Sequence, residues 1–286
     1  MGRIAFVGCV AAAVSFGGFM QSTRPIRAAD MKYPLSSAVA KDGTIYVADR
    51  NLPGIWKVAG GKAQVFFQAS KKFRTPLNAV WCVTFDSKGR LLAGDSATRD
   101  VYRFSKDGKP TPLTKGAIGI PIAMATDGKG TLYVSDLETQ RIWKLSEEGG
   151  KTTEFAVLAG PRGLTVDPAG NVWSVNSGKD QLVRFDAKGK REAVVKGRPF
   201  KFAHCVAVAE DGTAYVTDGY GKCIWKVPPG KPPEKLVAGA PLVNPVGLTW
   251  NKGKLLVTDS RANAVFEITT AGKVTKIVGG AAPKKK

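Results

Sequence analysis

Histidine is almost missing from this chain: His204 is the only one in 286 residues. A zinc centre built from several histidines is thereby excluded. Cysteine is scarce too, with Cys9, Cys82, Cys205 and Cys223 and no Cys-x-x-Cys pair. Cys9 falls in the N-terminal apolar run, so an odd three remain and no disulfide framework is implied. Those three are expected as small buried apolar residues. Acidic residues are few, 23 against 43 Lys and Arg, for a formal net charge of +20. No segment sustains a helical period. Past the first twenty or so residues, no run is long and apolar enough to span a bilayer. Gly-x-Ser-x-Gly and Gly-x-x-x-x-Gly-Lys-[Ser/Thr] are both absent. Neither a nucleophile elbow nor a phosphate-cradling loop is therefore written in the chain.

The N-terminus has the order of an export signal. Arg3 is followed by an uncharged run from Ile4 to Met20, and a polar stretch ends in Ala28-Ala29-Asp30. Residues 1–29 are expected to be removed after Ala29. Arg27 sits poorly at the third place before that cut, so an uncleaved membrane anchor is the alternative. The mature chain is then expected to be exported, periplasmic or extracellular. Its positive charge suits an anionic wall polymer or a membrane surface. Nucleic acid is not expected as a partner there. Residues 281–286 end in Lys284-Lys285-Lys286 and read as a basic tail.

Glycine (33) and proline (17) are plentiful, as many strands joined by tight turns require. Six segments share one pattern: AVAKDGTIYVAD (38–49), CVTFDSKGRLLAGD (82–95), AMATDGKGTLYVSD (123–136), GLTVDPAGNVWSVN (163–176), CVAVAEDGTAYVTD (205–218) and GLTWNKGKLLVTD (247–259). Each is an apolar strand, a glycine turn, a second apolar strand and an acid or its amide. Asp49, Asp95, Asp136, Asn176, Asp218 and Asp259 close the segments, at steps of 46, 41, 40, 42 and 41 residues. A third strand follows each, with a large residue at its second place: Trp56, Tyr102, Trp143, Val183, Trp225 and Phe266. A turn and a fourth strand complete the unit. Such repeats predict an all-β, six-bladed β-propeller of four-stranded antiparallel blades over residues 30–280. The large third-strand residues are expected to pack between blades. The last unit ends on its own fourth strand, so closure needs no strand exchange, although residues 30–33 are free to add an edge.

Antiparallel order puts every start of a first strand and every end of a second on one face. The repeated acids ring that face. They are expected to accept turn amides rather than to hold a cation, because a residue found in every blade serves the repeat. Residues that break the symmetry are the better site candidates. Just before each first strand stand Leu35, Trp81, Ile122, Arg162, His204 and Val246. Trp81, Arg162 and His204, with nearby Tyr33, Asn78 and Asn244, are expected to form a channel mouth. It would take a small anionic or sugar-like ligand, or a protein partner on that face. Trp81 offers a stacking surface and Arg162 a fork for a carboxylate or phosphate. His204 is expected to be structural, with a general base as the alternative. A basic residue recurs on third strands at Lys57, Arg103, Lys144, Arg184 and Lys226, where stems pack and heads reach water. Lys188, Lys190, Arg191, Lys196, Arg198 and Lys201 form the densest basic stretch, a candidate contact for an anionic surface.

The repeat resembles the NHL repeat, best in PIAMATDGKGTLYVSDLETQRIWKL (121–145) and well in 161–185 and 245–268. The resemblance spans residues 34–280 and implies the propeller fold, but not one activity, since such propellers include binders, sensors and enzymes. The related SMP-30/gluconolactonase-like group implies a lactonase. Its divalent cation is held by Glu, Asn and Asp in Glu-Gly-Pro-x-Trp, Pro-Asn-Gly and Pro-Asp-Gly motifs. Here the matching segments are Tyr33-Pro34-Leu35-Ser36, Pro161-Arg162-Gly163 and Pro245-Val246-Gly247. Arg162 would repel a cation. The leading expectation is therefore a monomeric binding or scaffold module without a cofactor. A divergent metal-dependent hydrolase, lactonase or lyase carrying calcium, zinc or manganese is the alternative, and adhesion through basic charge is a third.

Overall fold

The computed structural model describes residues 31–280, apart from 71, 73 and 74. The expected export segment (1–29) and basic tail (281–286) lie outside the described residues. Among the described residues no helix is long and apolar enough to cross a membrane.

The chain is a six-bladed β-propeller, and each blade is a four-stranded antiparallel sheet of consecutive strands. Blade 1 holds β1 (Pro34–Val39), β2 (Ile45–Asp49), β3 (Gly54–Ala59) and β4 (Lys62–Gln68). Blade 2 holds β5 (Val80–Phe85), β6 (Leu91–Asp95), β7 (Asp100–Phe104) and β8 (Pro110–Pro112). Blade 3 holds β9 (Pro121–Thr126), β10 (Thr131–Asp136), β11 (Arg141–Ser146) and β12 (Thr153–Val157). Blade 4 holds β13 (Pro161–Val166), β14 (Val172–Asn176), β15 (Leu182–Phe185) and β16 (Arg191–Val195). Blade 5 holds β17 (Ala203–Val208), β18 (Ala214–Asp218), β19 (Cys223–Val227) and β20 (Glu234–Ala238). Blade 6 holds β21 (Pro245–Asn251), β22 (Lys254–Asp259), β23 (Ala264–Thr269) and β24 (Val274–Gly279).

In blades 2, 3 and 4 an Asp-x-x-Gly turn explains why the first two strands pair where they do. In blade 4, Asp167 Oδ1 accepts the Asn171 N–H at 2.9 Å, and the Gly170 N–H donates to the Asp167 carbonyl at 2.9 Å. Gly170 takes φ +87, a conformation that L side chains rarely adopt. The strands themselves alternate apolar residues over both sheet faces. A radial blade has a neighbour on each face, so both faces are buried. Six apolar layers result, one per blade boundary, such as Ala48, Ile55, Val83, Ala93 and Tyr102 between blades 1 and 2. The third-strand aromatics lie in or against these layers, and Trp56 is fully buried.

Closure uses no strand exchange. Residues 31–33 add no strand, because the 6–1 seam is filled by side chains instead. Met31 packs with Val47, Trp56, Val265 and Val278. Thr249 Oγ1 donates to the Ser37 carbonyl at 2.8 Å, and Thr258 Oγ1 lies 3.1 Å from Ser37 Oγ.

The repeated acids sit on one face, called the top here, fully occupied by donors. Asp49 accepts the N–H groups of Lys32, Tyr33, Asn51 and Leu52 and the Trp56 indole N–H at 3.0 Å. Asp136 and Asp218 likewise accept the indoles of Trp143 and Trp225 at 3.1 and 3.2 Å. Asp95 and Asp259 accept turn amides in the same manner. Asn176 accepts the Gly178 N–H at 2.8 Å.

Candidate functional site

The first strands surround a central channel of about 960 Å³. Leu35, Trp81, Ile122, Arg162, His204 and Val246 all line it. The register of the first two strands explains why. Val80 faces Asp95 while Cys82 faces Gly94, so Trp81 is an extra, bulged residue. Leu35, Ile122, His204 and Val246 are extra in the same way in their own blades. In blade 4 the irregularity spans Arg162 and Gly163. A bulge re-aims its side chain, and here six bulges present six residues at the top rim.

Arg162 lies over the Phe202 ring, with its Cζ 4.3 Å from the centroid. Phe202 stacks on Tyr220 at 4.6 Å and meets His204 edge-on at 4.7 Å. Gly219 makes room for the imidazole, since a Cβ there would sit 3.0 Å from His204 Nε2. Burial pushes the His204 pKa down to about 4; the positive charge of Arg162 adds to the fall, and Asp218 opposes it. The imidazole is therefore neutral at pH 7. Burial also lowers the Arg162 pKa from its ordinary value, but a guanidinium remains charged. Among the described residues Arg162 forms no ion pair and donates no hydrogen bond.

Tyr33 and Trp81 also line the channel. Trp81 Nε1 donates to Ser96 Oγ at 3.0 Å, which fixes the ring, and Arg50 stands over that ring at 4.4 Å. Two candidates lie off the channel lining. Asn78 Nδ2 donates to the Lys72 carbonyl at 3.3 Å within its own loop. Asn244 is buried, and its Nδ2 donates to Ser260 Oγ at 2.7 Å. Asn244 touches the site from behind: a Cβ at Gly219 would meet Asn244 Oδ1 at 2.5 Å.

The basic stretch is not one patch. Lys188 and Lys190 lie in the β15–β16 turn on the bottom face, bonded by their backbone N–H groups to Asp186. Lys196, Arg198 and Lys201 lie at the top, on the β16–β17 connection. Arg198 is tied to the carbonyls of Ser177 and Gly178, and Arg191 reaches Asp180 at 3.7 Å. Arg50, Phe202 and Tyr220 escaped notice in the sequence. Phe202 is two residues from His204, and Arg50 follows a ring acid, but neither spacing reveals a contact across a blade boundary.

A divalent cation does not fit this mouth. Among the described residues no three His, Cys, Asp or Glu side chains converge. The rim positions offer Leu35, Arg162 and Val246, one of them a fixed positive charge. The channel acids Asp127, Asp167 and Glu210 line the bottom end. Each is used there: Asp127 by the Lys129 and Thr131 N–H groups, Asp167 by Asn171 and Trp173, and Glu210 by the Trp250 indole.

A propeller with a bulge-built channel mouth is the class of protein that this fold and site define. The SMP-30/gluconolactonase/LRE-like region family matches residues 18–219, and the chain belongs to that family. Among curated proteins none matches. Of solved structures, virginiamycin B lyase from Staphylococcus aureus shares 14% identity over 92% of this chain and 89% of its own, at a TM-score of 0.67. A gluconolactonase from Xanthomonas campestris shares 13% over 86% of each chain, at 0.70. A chain of a nidogen/laminin complex shares 19% over 83% of this chain and 89% of its own, at 0.65. At such identities these likenesses show the fold alone.

Proposed function

We propose that this chain is an exported ligand-binding propeller. It takes a small anionic or sugar-like molecule at the top mouth of its channel, and Arg162 receives the anionic group. The observation that carries this reading is the guanidinium of Arg162, partly desolvated and without an acidic partner among the described residues. An aromatic face steadies such a cation, but it leaves the N–H donors free for a carboxylate or phosphate. Those bonds would be charge-assisted and bidentate. Trp81, fixed by Ser96, offers a face for a sugar ring.

Calorimetric titration of the purified protein tests the reading, with gluconate and glucuronate against glucose. The acids should bind and the neutral sugar should bind far more weakly. Arg162→Gln should weaken the acids by about tenfold or more, the worth of a charge-assisted pair. Equal binding of acids and glucose, or an unchanged Arg162→Gln variant, would sink it.

Family membership favours a second reading, a divergent hydrolase or lyase at the same mouth, with neutral His204 as the available proton acceptor. Purification without chelators decides between them. About one tightly held calcium, zinc or manganese ion per chain, together with opening of lactones, would replace binding by catalysis. The positive top face also suits a protein partner or an anionic wall polymer outside the cytoplasm.

A further inference from the structure

We propose that the ligand of this mouth carries two anionic groups, one received by Arg162 and one by Arg50. The inference rests on the reading that Arg162 receives an anion, and it adds the chemical class of the ligand.

Two arrangements of the same kind stand at the rim. Arg162 of blade 4 lies 4.3 Å over Phe202 of blade 5, and Arg50 of blade 1 lies 4.4 Å over Trp81 of blade 2. In each, a guanidinium from one blade rests on an aromatic ring of the next. Blades 1 and 4 are three steps apart in a ring of six, so the two pairs face each other across the channel. Arg50, Trp81 and Arg162 all line the one cavity.

Neither guanidinium forms an ion pair or donates a side-chain hydrogen bond among the described residues. An aromatic face orients a guanidinium but uses none of its N–H donors. Arg50 is exposed, so water meets its donors in the free protein, while Arg162 is half-buried; both forks stay open to an anionic acceptor, and from opposite sides of the ring each would take its own. The ring acids Asp49 and Asp218 turn their oxygens to turn amides such as those of Tyr33 and Phe202, so neither pairs with a rim guanidinium, although their charge still reaches the mouth, as the effect of Asp218 on His204 shows. Lys32, Lys201, Lys222 and Arg261 lie in top-face segments, form no ion pair among the described residues, and add positive charge on that face. Between the poles the rim is apolar: Ile122 on one side and Val246 on the other. That sequence of cation, apolar wall and cation matches a dicarboxylate with a carbon or sugar backbone between its ends.

The test is calorimetry at low salt on the purified protein. Unbranched dicarboxylates from succinate to sebacate are each compared with the monocarboxylate of equal length, and galactarate with galactonate. At least one dicarboxylate should bind about tenfold or more tightly than its monocarboxylate partner. Arg50→Gln should bring it down to the monocarboxylate level, with the thermal midpoint unchanged. Raising the salt should narrow the gap. If monocarboxylates bind through Arg162 and no dicarboxylate gains, or if the gain survives Arg50→Gln, the two-anion inference is overturned while the anion-binding reading stands. If no carboxylate of either kind binds, or if Arg162→Gln changes nothing, both fall together.

Discussion

Asp218 and Asn176 hold the same place in adjacent blades and show what that place requires. Asp218 accepts the N–H groups of Lys201, Phe202 and Gly221 and the Trp225 indole. Asn176 accepts one amide and gives its own N–H to the Asp180 carbonyl at 2.8 Å. Blade 4 carries Val183 where blade 5 carries Trp225, so no indole there asks for a second oxygen. The structural duty of these acids was legible from their repetition. The indole bond was not, because it joins a second strand to a third through a turn whose path the sequence leaves open. His204 lies at the other extreme, a residue found once. Its pKa falls from 6.5 to about 4 on folding. Between these values the unfolded chain binds more protons than the folded one, so stability should rise with pH across that window and level off above it. The penalty, fully developed below the folded value, is on the order of 3 kcal/mol. The imidazole Cε1 proton resonance, unambiguous because there is one histidine, should titrate near pH 4. A midpoint near 6.5 would mean that neither burial nor Arg162 acts on the ring.

Among elements, the first strands were the most legible and their most useful feature the least. The apolar pattern and the glycine turn that follows it located every one of them. The bulge at the head of each was invisible, since an extra residue in one strand appears only when its partner is laid beside it. That is why six rim positions could be named from the repeat while Arg50 and Phe202, which complete the mouth, could not. Turns also act across blade boundaries. The β11–β12 turn of blade 3 reaches the β5–β6 turn of blade 2, where buried Glu147 accepts the Ser87 N–H at 3.0 Å and its hydroxyl as well. Glu148 beside it pairs with Lys88, Arg90 and Arg103 at 2.7, 2.7 and 3.0 Å, and its carboxyl is held down to about 2 chiefly by Arg90 and Lys88. Exposed pairs contribute little, however many are drawn. Hydrogen bonds to a charged group contribute about 1.5–3 kcal/mol, and those of Glu147 are made by a buried carboxylate. Glu147→Ala should therefore lower the thermal midpoint by several degrees, at about 2–4 °C per kcal/mol for a domain of this size. Glu148→Ala should lower it by a degree or two. Equal losses in the two melts would show that the ion pairs, not the buried acceptor, hold the boundary.

For the whole molecule, the repeat period revealed the number of blades, and the fourth strand of the last unit revealed that closure needs no exchanged strand. What fills the seam was not legible, because Met31, Ser37, Thr249 and Thr258 carry no mark of their meeting. Like the other five boundaries the seam is an apolar layer, and like the 2–3 and 5–6 boundaries it adds side-chain bonds to inner-strand carbonyls. Nothing in that construction depends on where the chain is opened. Residues 31 and 280 both lie on the top face, and Met31 packs against Val278. A short Gly/Ser linker can therefore join them, as residues 158–160 join β12 to β13. A new opening between exposed Lys115 and Gly116, on the β8–β9 connection, cuts no strand. Loop closure costs grow only slowly with length, so this permuted chain should fold with the parent's circular dichroism and a thermal midpoint within about 5 °C, a change on the order of 1–2 kcal/mol. Its carboxylate affinity should match the parent's, because Arg50, Trp81, Arg162 and Phe202 keep their blades and their neighbours. A permuted chain that melts far lower would show that the covalent order from blade 1 to blade 6 contributes stability beyond the seam contacts. One that folds but binds differently would show that the mouth is set by the chain's opening at the 6–1 seam and not by the ring.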